Sequence, residues 1–490
     1  MSDLEPRLSL IGRLGGARVL CVGDVILDHF HYGSVDRISP EAPIPVLKLE
    51  RLDTMLGGAG NVVRNLNGLG AHVRFVTVIG KDHDGGEIER LLAEENISDQ
   101  PLVDDSGRRT SSKTRFLANG QQMLRADRET IYSLSAGMEK QLISAAKAAM
   151  ADCDVVVLSD YRKGVLTDGV IRALITTAQK AGKTVIVDPK GADYERYRGA
   201  DVITPNRAEL FLATAMPVDN DDEIIAAIES LIDDYDFGVV VATRSKDGMT
   251  MKVRGQDPVH LKAAARDVFD VSGAGDTVVA TLAAVLGAGG AFEEAADLAN
   301  TAAGIVVGKV GTAVAYTADI AAGLHHLDLS AAETKIMSIG QAQGHMEKWR
   351  QSGLAIGFTN GCFDLLHPGH VSLLAKAKTA CGMLVVGLNS DASVKRLKGE
   401  NRPIQGEAAR AAVLASLASV DVVIIFGEDT PINLIEAIRP DVLVKGADYK
   451  PDEVVGADMV RAHGGRVELI PLEPGHSTTA TIAKLAGETC

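Results

Sequence analysis

GFTNGCFDLLHPGHVSLL, residues 357–374, opens on an apolar run of strand type, breaks at a glycine turn and resumes as a helix with an apolar face. His367 and His370 fall three residues apart where that helix begins. Pro368 suits a first helical turn, and Gly369 permits close approach of a phosphate. A helix start exposes unpaired N–H groups at the positive end of its dipole, and imidazoles placed there add donors for phosphate oxygens. Zinc would need a third ligand, and no Cys or Glu stands at metal spacing beside the pair. Strand, glycine turn and helix in that order predict an α/β domain whose anion site lies at the carboxyl edge of a parallel sheet.

The same rhythm extends in both directions. MLVVGLNSD, VDVVIIFGE, PDVLVKG and GRVELIP follow as further strands, while ARVLCVGD, VRFVTVIG, DVVVLSD, KTVIVDP, ADVITP and FGVVVAT precede residue 245. Strands alternating with helical patterns mean βαβ units. Between the two series lies a mixed polar and apolar stretch without strand signal, so the pattern restarts, as two independent sheets would require. The boundaries expected are a first domain over 1–330, a linker over 331–353 and a second domain over 354–490. Residues 30–51 and 108–127 break the rhythm with polar alternation, and Pro40, Pro43 and Pro45 fit edge strands or loops. Those two stretches read as a small β-lid inserted in the first domain.

Composition narrows the functions. A chain of 490 residues exceeds one ordinary core, and 46% hydrophobic with 23% charged residues is a globular balance. Aromatics make up 4%, with Trp349 alone of its type, so the cores must be aliphatic. A formal net charge of −15 argues against nucleic acid as a partner, because polyanions need a cationic surface. Five cysteines without CxxC spacing suggest neither zinc nor a disulfide framework. The N-terminal stretch lacks the apolar core of a signal peptide, and no run of 18 apolar residues occurs. A cytoplasmic protein without a membrane partner is expected.

DVSGAGDT, residues 270–277, forms a second anion site. Gly273 and Gly275 let the backbone bend and expose amides at the start of the apolar run VVATLAAVL. Asp276 sits in that turn, where a carboxylate repels phosphate unless it has a task; general base toward a hydroxyl attacking a γ-phosphate is that task. GGAGNVVRNL (57–66) and GDVILDHF (23–30) add a glycine-led helix and a carboxylate at a strand's end, both suited to a polyhydroxyl ligand.

In this order these motifs resemble the ribokinase-like (PfkB) carbohydrate kinases over about the first 325 residues. The resemblance implies a three-layer α/β/α fold with a β-lid, Asp276 as base and the Gly273, Ala274 and Gly275 amides as anion hole. Asp28, Gly57, Gly58 and Asn61 would hold sugar hydroxyls. TPNRAEL (204–210) matches the family's N-x-x-E element, so Asn206 and Glu209 are expected to order Mg²⁺ and the ATP phosphates. ATRSKDGM (242–249) resembles the strand and turn beside the nucleotide, bringing Thr243, Ser245 and Gly248 to ATP, although Ser245 stands where the family usually has Gly. Activation by a monovalent cation occurs in parts of that family. Lys163 and Lys190, each just after a strand, and Arg125 on the lid are available to a second phosphate, which favours a sugar phosphate over a free sugar.

The HxGH stretch resembles the superfamily of cytidylyl- and adenylyltransferases over residues 354–490, a smaller Rossmann-like domain. That likeness implies ATP contacts for Asn360, Gly361, Phe363 and Asp364. Lys395, Arg402 and Lys445 come from VKRLKGENRPI and LVKGADY, and Ser477, Thr478 and Thr479 from PGHSTTATIAKL. No protein nucleophile is required: a sugar 1-phosphate oxygen attacks the α-phosphorus of ATP and pyrophosphate leaves. The two halves together resemble the bifunctional heptose kinase–adenylyltransferases of Gram-negative bacteria. This implies ATP and Mg²⁺ as requirements, sugar phosphates as small-molecule partners and a homodimer through the kinase domain. A kinase and transferase pair for another sugar phosphate, or one half serving as a ligand-sensing module, are the competing expectations.

Overall fold

The computed structural model describes residues 4–97, 102–264, 270–309, 311–447 and 454–471. The chain forms two compact units, Glu5–Leu324 and His325–Cys490, the latter including Met1–Leu4.

In the first unit the central strands, Arg18–Gly23 and Val155–Ser159, are buried almost end to end. Near-continuous Val, Leu and Ile runs of this kind occur where a parallel sheet is covered on both faces. Arg18–Gly23 pairs in parallel with His72–Gly80 on one side and with Val155–Ser159 on the other. Beyond His72–Gly80 lies Leu102–Asp105. Beyond Val155–Ser159 follow Thr184–Asp188, Val202–Ile203 and Val239–Thr243, all parallel, and then Met249–Val253 and Val259–Leu261, which run antiparallel. Strand order therefore reverses at the first strand, and the crevice beyond its carboxyl end is where open α/β sheets bind ligands.

Helix Ala274–Gly287 packs against the sheet centre and between two other helices, Ala59–Gly68 and Phe292–Val306. Every residue from Asp276 to Val285 is buried. Its small and aliphatic residues have no polar face, the pattern of a helix enclosed on all sides.

The β-lid forms a separate four-stranded sheet in the order Pro45–Gly58, Val25–Ile38, Ser112–Ala118, Gln121–Arg128. Val25–Ile38 begins one residue after the central strand ends, so the lid grows directly out of the crevice. Pro40 and Pro43 fall in the connection between the two long strands and Pro45 opens the second, positions that need no ladder N–H. Asp82 ties the lid's base down: its carboxylate accepts from the N–H of Gly85 and from both the N–H and the hydroxyl of Thr110.

The second unit is a five-stranded parallel sheet in the order Val422–Phe426, Met383–Asn389, Ile356–Gly361, Val442–Gly446, Arg466–Ile470. Its order reverses at Ile356–Gly361, the strand that enters the histidine turn. The span 331–353, expected to be a linker, belongs in large part to this unit. Ile336 bridges Val423, and helix Ile339–Gln351 buries Ala342 and Met346 against Ile356, Phe358, Val422 and Ile438. A stripe of few apolar residues on an otherwise polar helix reads as linker until the sheet that receives it is known. Met346→Ala should destabilise the second unit by about 2–5 kcal/mol, the usual range for a buried Met truncation. Heat inactivation followed by the transferase activity would read that loss.

Candidate active sites

At the crevice of the first unit three aspartates mark strand ends. Asp24 follows Arg18–Gly23, Asp160 follows Val155–Ser159 and Asp188 closes Thr184–Asp188. Asp24 is buried and accepts N–H bonds from Tyr161, Lys163 and Val165, each at 3.0 Å. It pins the 161–165 loop to the central strand, and burial, followed by the nearby Asp160, pushes its carboxyl up.

Asp276 is the third residue of helix Ala274–Gly287 and is 4% exposed. One oxygen accepts from Asn61 Nδ2 at 2.8 Å and the other from the Tyr161 hydroxyl at 2.6 Å. Burial raises its carboxyl to about 6 against the pull of those two bonds, with Asp28 adding to the rise and Lys113 opposing it. Gly273 caps the helix at φ +79°, and a Cβ there would meet Asn61 Nδ2. The N–H groups of Gly275 and Asp276 open the helix with no acceptor among the described residues, the geometry of an anion hole.

Around this centre the expected sugar-side residues divide. Gly57 lies so close to Asp28 that a Cβ would collide with the carboxylate, and Gly58, at φ +58°, caps helix Ala59–Gly68. Asp28 is buried and paired with Arg115, Nη1 to Oδ1 at 2.6 Å. Asn61 is buried and spends its amide on Asp276, while Asn65 donates to its carbonyl groups, so it braces the carboxylate and does not face open space. Lys163 is paired with Glu129, and Arg125 lies on an exposed lid strand bonded to Asp127. Lys190 reaches Glu209 at 2.7 Å, on the nucleotide side of the crevice. None of these three cations is unpaired. Lys113, by contrast, makes no hydrogen bond or ion pair among the described residues; its ammonium stands 5.6 Å above the Tyr161 ring, its pKa lowered by burial.

Asn206 and Glu209 form a reciprocal capping box on helix Arg207–Thr214, each bonded to the other's backbone N–H at 3.0 Å. The N-x-x-E spacing therefore has a structural use that leaves Glu209 Oε1 to Lys190. Asp188 lies close by, its carboxyl pushed well up by burial and then by the like charges of Asp276 and Glu209. Thr243 bridges Asn206 across the sheet edge. Ser245 takes φ +53°, the left-handed conformation that glycine would adopt without strain, and Gly248 follows at +85°.

In the second unit His367 caps helix Pro368–Thr379, and its ring stacks on His370 with centroids 3.9 Å apart. Phe363, at φ +43°, meets His370 edge-on at 5.2 Å. Burial, then His367, lowers His370 to about 4, against a hydrogen bond with the Leu365 backbone, so this imidazole is uncharged at neutral pH. Lys445 ends Val442–Gly446 close to the turn and donates to the Asn360 carbonyl at 3.0 Å. Asn360 and Gly361 end the neighbouring strand, and Lys395 is exposed on helix Asp391–Lys398. Asp364 and Arg402 are used on each other: the buried carboxylate accepts from Arg402 Nε and from the N–H groups of Ile404 and Gln405. Ser477, Thr478 and Thr479 lie outside the described residues.

Four residues carry the sites' geometry without having stood out in the sequence: Tyr161, Asp188, Lys113 and Arg410. Arg410 is fully buried and donates to the carbonyls of Cys362 and Gln405 and to Asp391, so it holds the histidine turn to two neighbouring segments. An arginine amid alanines in EAARAAVLA was the available signal. Among the described residues no three His, Cys, Asp or Glu side chains gather as a metal cage. No helix among the described residues is long and apolar enough to cross a membrane.

One helix mouth beside a buried carboxylate and another beside stacked imidazoles suit a two-site enzyme of phosphoryl and nucleotidyl transfer. Family models agree: pfkB family carbohydrate kinase matches residues 17–318 and cytidylyltransferase-like matches 358–480. Ribokinase of Arabidopsis thaliana aligns with a TM-score of 0.51 at 20% identity, covering 63% of this chain and 98% of its own. Phosphofructokinase-2 of Escherichia coli aligns at 0.55 and 19%, covering 64% and 99%, and both show the fold of the first unit. Over almost its whole length the chain is 57% identical to the bifunctional protein HldE of Paramagnetospirillum magneticum, covering 99% of this chain and all of that one. The corresponding protein of Rhodospirillum rubrum is 54% identical, covering 99% and 98%. The chain belongs to this HldE family of bifunctional heptose kinase–adenylyltransferases.

Asp276 carries a stability signature. Its folded carboxyl holds a proton to about pH 6 against 3.8 in the unfolded chain, so its favourable contribution is complete below pH 3.8 and is lost as pH rises through 6. Asp276→Asn removes the buried charge and should raise unfolding stability at pH 7–8 by on the order of 2 kcal/mol, measured by urea denaturation. The gain should vanish near pH 4.

Proposed function

We propose that the first unit phosphorylates D-glycero-β-D-manno-heptose 7-phosphate at O1 with Asp276 as base, and that the second transfers an adenylyl group to heptose 1-phosphate beside His367 and His370. In the kinase step the O1 proton passes to Asp276, O1 attacks the γ-phosphorus in line, and ADP leaves. The unpaired N–H groups of Gly275 and Asp276 meet the charge of the transferring group. In the second step a 1-phosphate oxygen attacks the α-phosphorus of ATP and pyrophosphate leaves, with the helix mouth and the imidazoles stabilising the charge and holding the partners in line. Because the 7-phosphate must come off between the two steps, a phosphatase acts between them.

Asp188 and Glu209 fit the Mg²⁺ that accompanies ATP: burial, then the like charges of Asp276 and Glu209, raise Asp188, and Mg²⁺ usually takes only one or two carboxylates while keeping water and phosphate ligands. That ion would supply charge neutralisation on the phosphates. Exposed Ile38, Leu49, Leu52, Met123 and Leu124 make the lid the face on which two copies would pair. Cytoplasmic ATP and sugar phosphates would supply both sites.

The observation that carries this reading is the Asp276 carboxylate, buried and braced from both sides at a helix mouth with unpaired amides. Sugar-dependent ADP release and pyrophosphate release, assayed separately, test it. Asp276→Asn should lower ADP release by about 10²–10⁴-fold and leave pyrophosphate release intact. His370→Ala should do the reverse, by about 10²–10³-fold. Unchanged ADP release in Asp276→Asn would refute the base assignment, and a panel of sugar phosphates with ATP and CTP tests substrate and base.

A further inference from the structure

We propose that Tyr161 is a positioning residue of the kinase reaction, its hydroxyl holding Asp276 Oδ1 so that the carboxylate stays oriented between it and Asn61 and ready to accept the sugar's proton. The inference rests on Asp276 being the base and adds the group that makes it competent.

Tyr161 is held from behind. Its N–H donates to Asp24 Oδ2, as does the N–H of Lys163, and Asp24 extends directly from the central strand. On its N-terminal side Asp160 is fixed by the Tyr197 hydroxyl at 2.6 Å and by the Arg162 N–H at 2.7 Å. With the backbone set by two buried aspartates, the phenol reaches Asp276 at 2.6 Å. It can only donate there, because burial together with Asp276 and Asp188 raises its own pKa well above the usual tyrosine value.

The charged and titratable neighbours show why a donor is needed. Asp28 faces Asp276 from one lid strand and Asp188 from the end of Thr184–Asp188, both carboxyl groups, while the buried Cys21 thiol lies on the central strand. Lys113, on the lid strand Ser112–Ala118, is the positive group that acts on Asp276. Burial, the largest effect, favours the protonated acid, which cannot take the sugar's proton. Two hydrogen bonds, from Tyr161 and Asn61, favour the ionised form. Of these, Asn61 also serves helix packing through Asn65, whereas the Tyr161 hydroxyl, among the described residues, bonds Asp276 alone.

The test is the pH profile of kinase kcat/KM in the full chain carrying Tyr161→Phe, with pyrophosphate release as the control for folding. The acid limb, near pH 6 in the native enzyme, should move up by about one to two units, as loss of one hydrogen bond to a charged carboxylate implies. Pyrophosphate release should stay unchanged. If the limb stays in place while KM for the sugar phosphate falls, the phenol merely occupies the space of the sugar hydroxyl, and the proposal is overturned. Asp276→Asn run in parallel separates the two readings. Retained kinase activity there refutes the base itself. A dead Asp276→Asn beside an unmoved limb in Tyr161→Phe refutes only the role of Tyr161.

Discussion

A helix start set where a parallel sheet reverses its strand order organises each half of this chain, and in the first the N–H groups of Gly275 and Asp276 have no acceptor among the described residues. Neither half needs a covalent nucleophile, because both reactions move a phosphorus centre between oxygens. Positioning and charge stabilisation can then supply most of the rate. The two mouths differ in what stands beside them. At Gly273–Asp276 stands a buried carboxylate; at His367–His370 stand two stacked imidazoles, at least one of them uncharged at neutral pH.

The kinase crevice carries more negative than free positive charge. Asp28, Asp188, Asp276 and Glu209 converge there, while Arg115 and Lys190 are already committed to Asp28 and Glu209. Burial first, and then repulsion among the carboxylates, lifts both Asp188 and Asp276. Lys113 is half-buried and has no ion pair among the described residues, its pKa lowered by burial.

Buried polar residues hold each mouth in shape. Asp24 spends three hydrogen bonds on the 161–165 loop, and Asp364 spends three on the 402–405 loop. Arg410 joins the histidine turn to Gln405 and Asp391. Removing any of these would leave a buried partner unsatisfied, so they couple the stability of the fold to the geometry of the site.

The alternation of strand and helix, its restart after residue 353, the lid and both helix mouths were legible in the amino-acid order, because each follows from local periodicity, glycine placement and proline exclusion. So were Asp276, His367 and His370, whose neighbours in sequence are also their neighbours in the turn. Partnerships made between side chains on different elements were not. That Tyr161 meets Asp276, that Asn61 faces Asp276 instead of open space, and that Lys163 and Lys190 are neutralised by Glu129 and Glu209 depend on which strand ends the sheet brings together. Helix Ile339–Gln351 was hidden for the same reason: two buried residues in a polar stretch acquire meaning only when a second sheet covers them. Local order sets which backbone conformations a segment prefers, whereas the pairing of charges and donors is decided by the three-dimensional packing that places distant segments within hydrogen-bond reach.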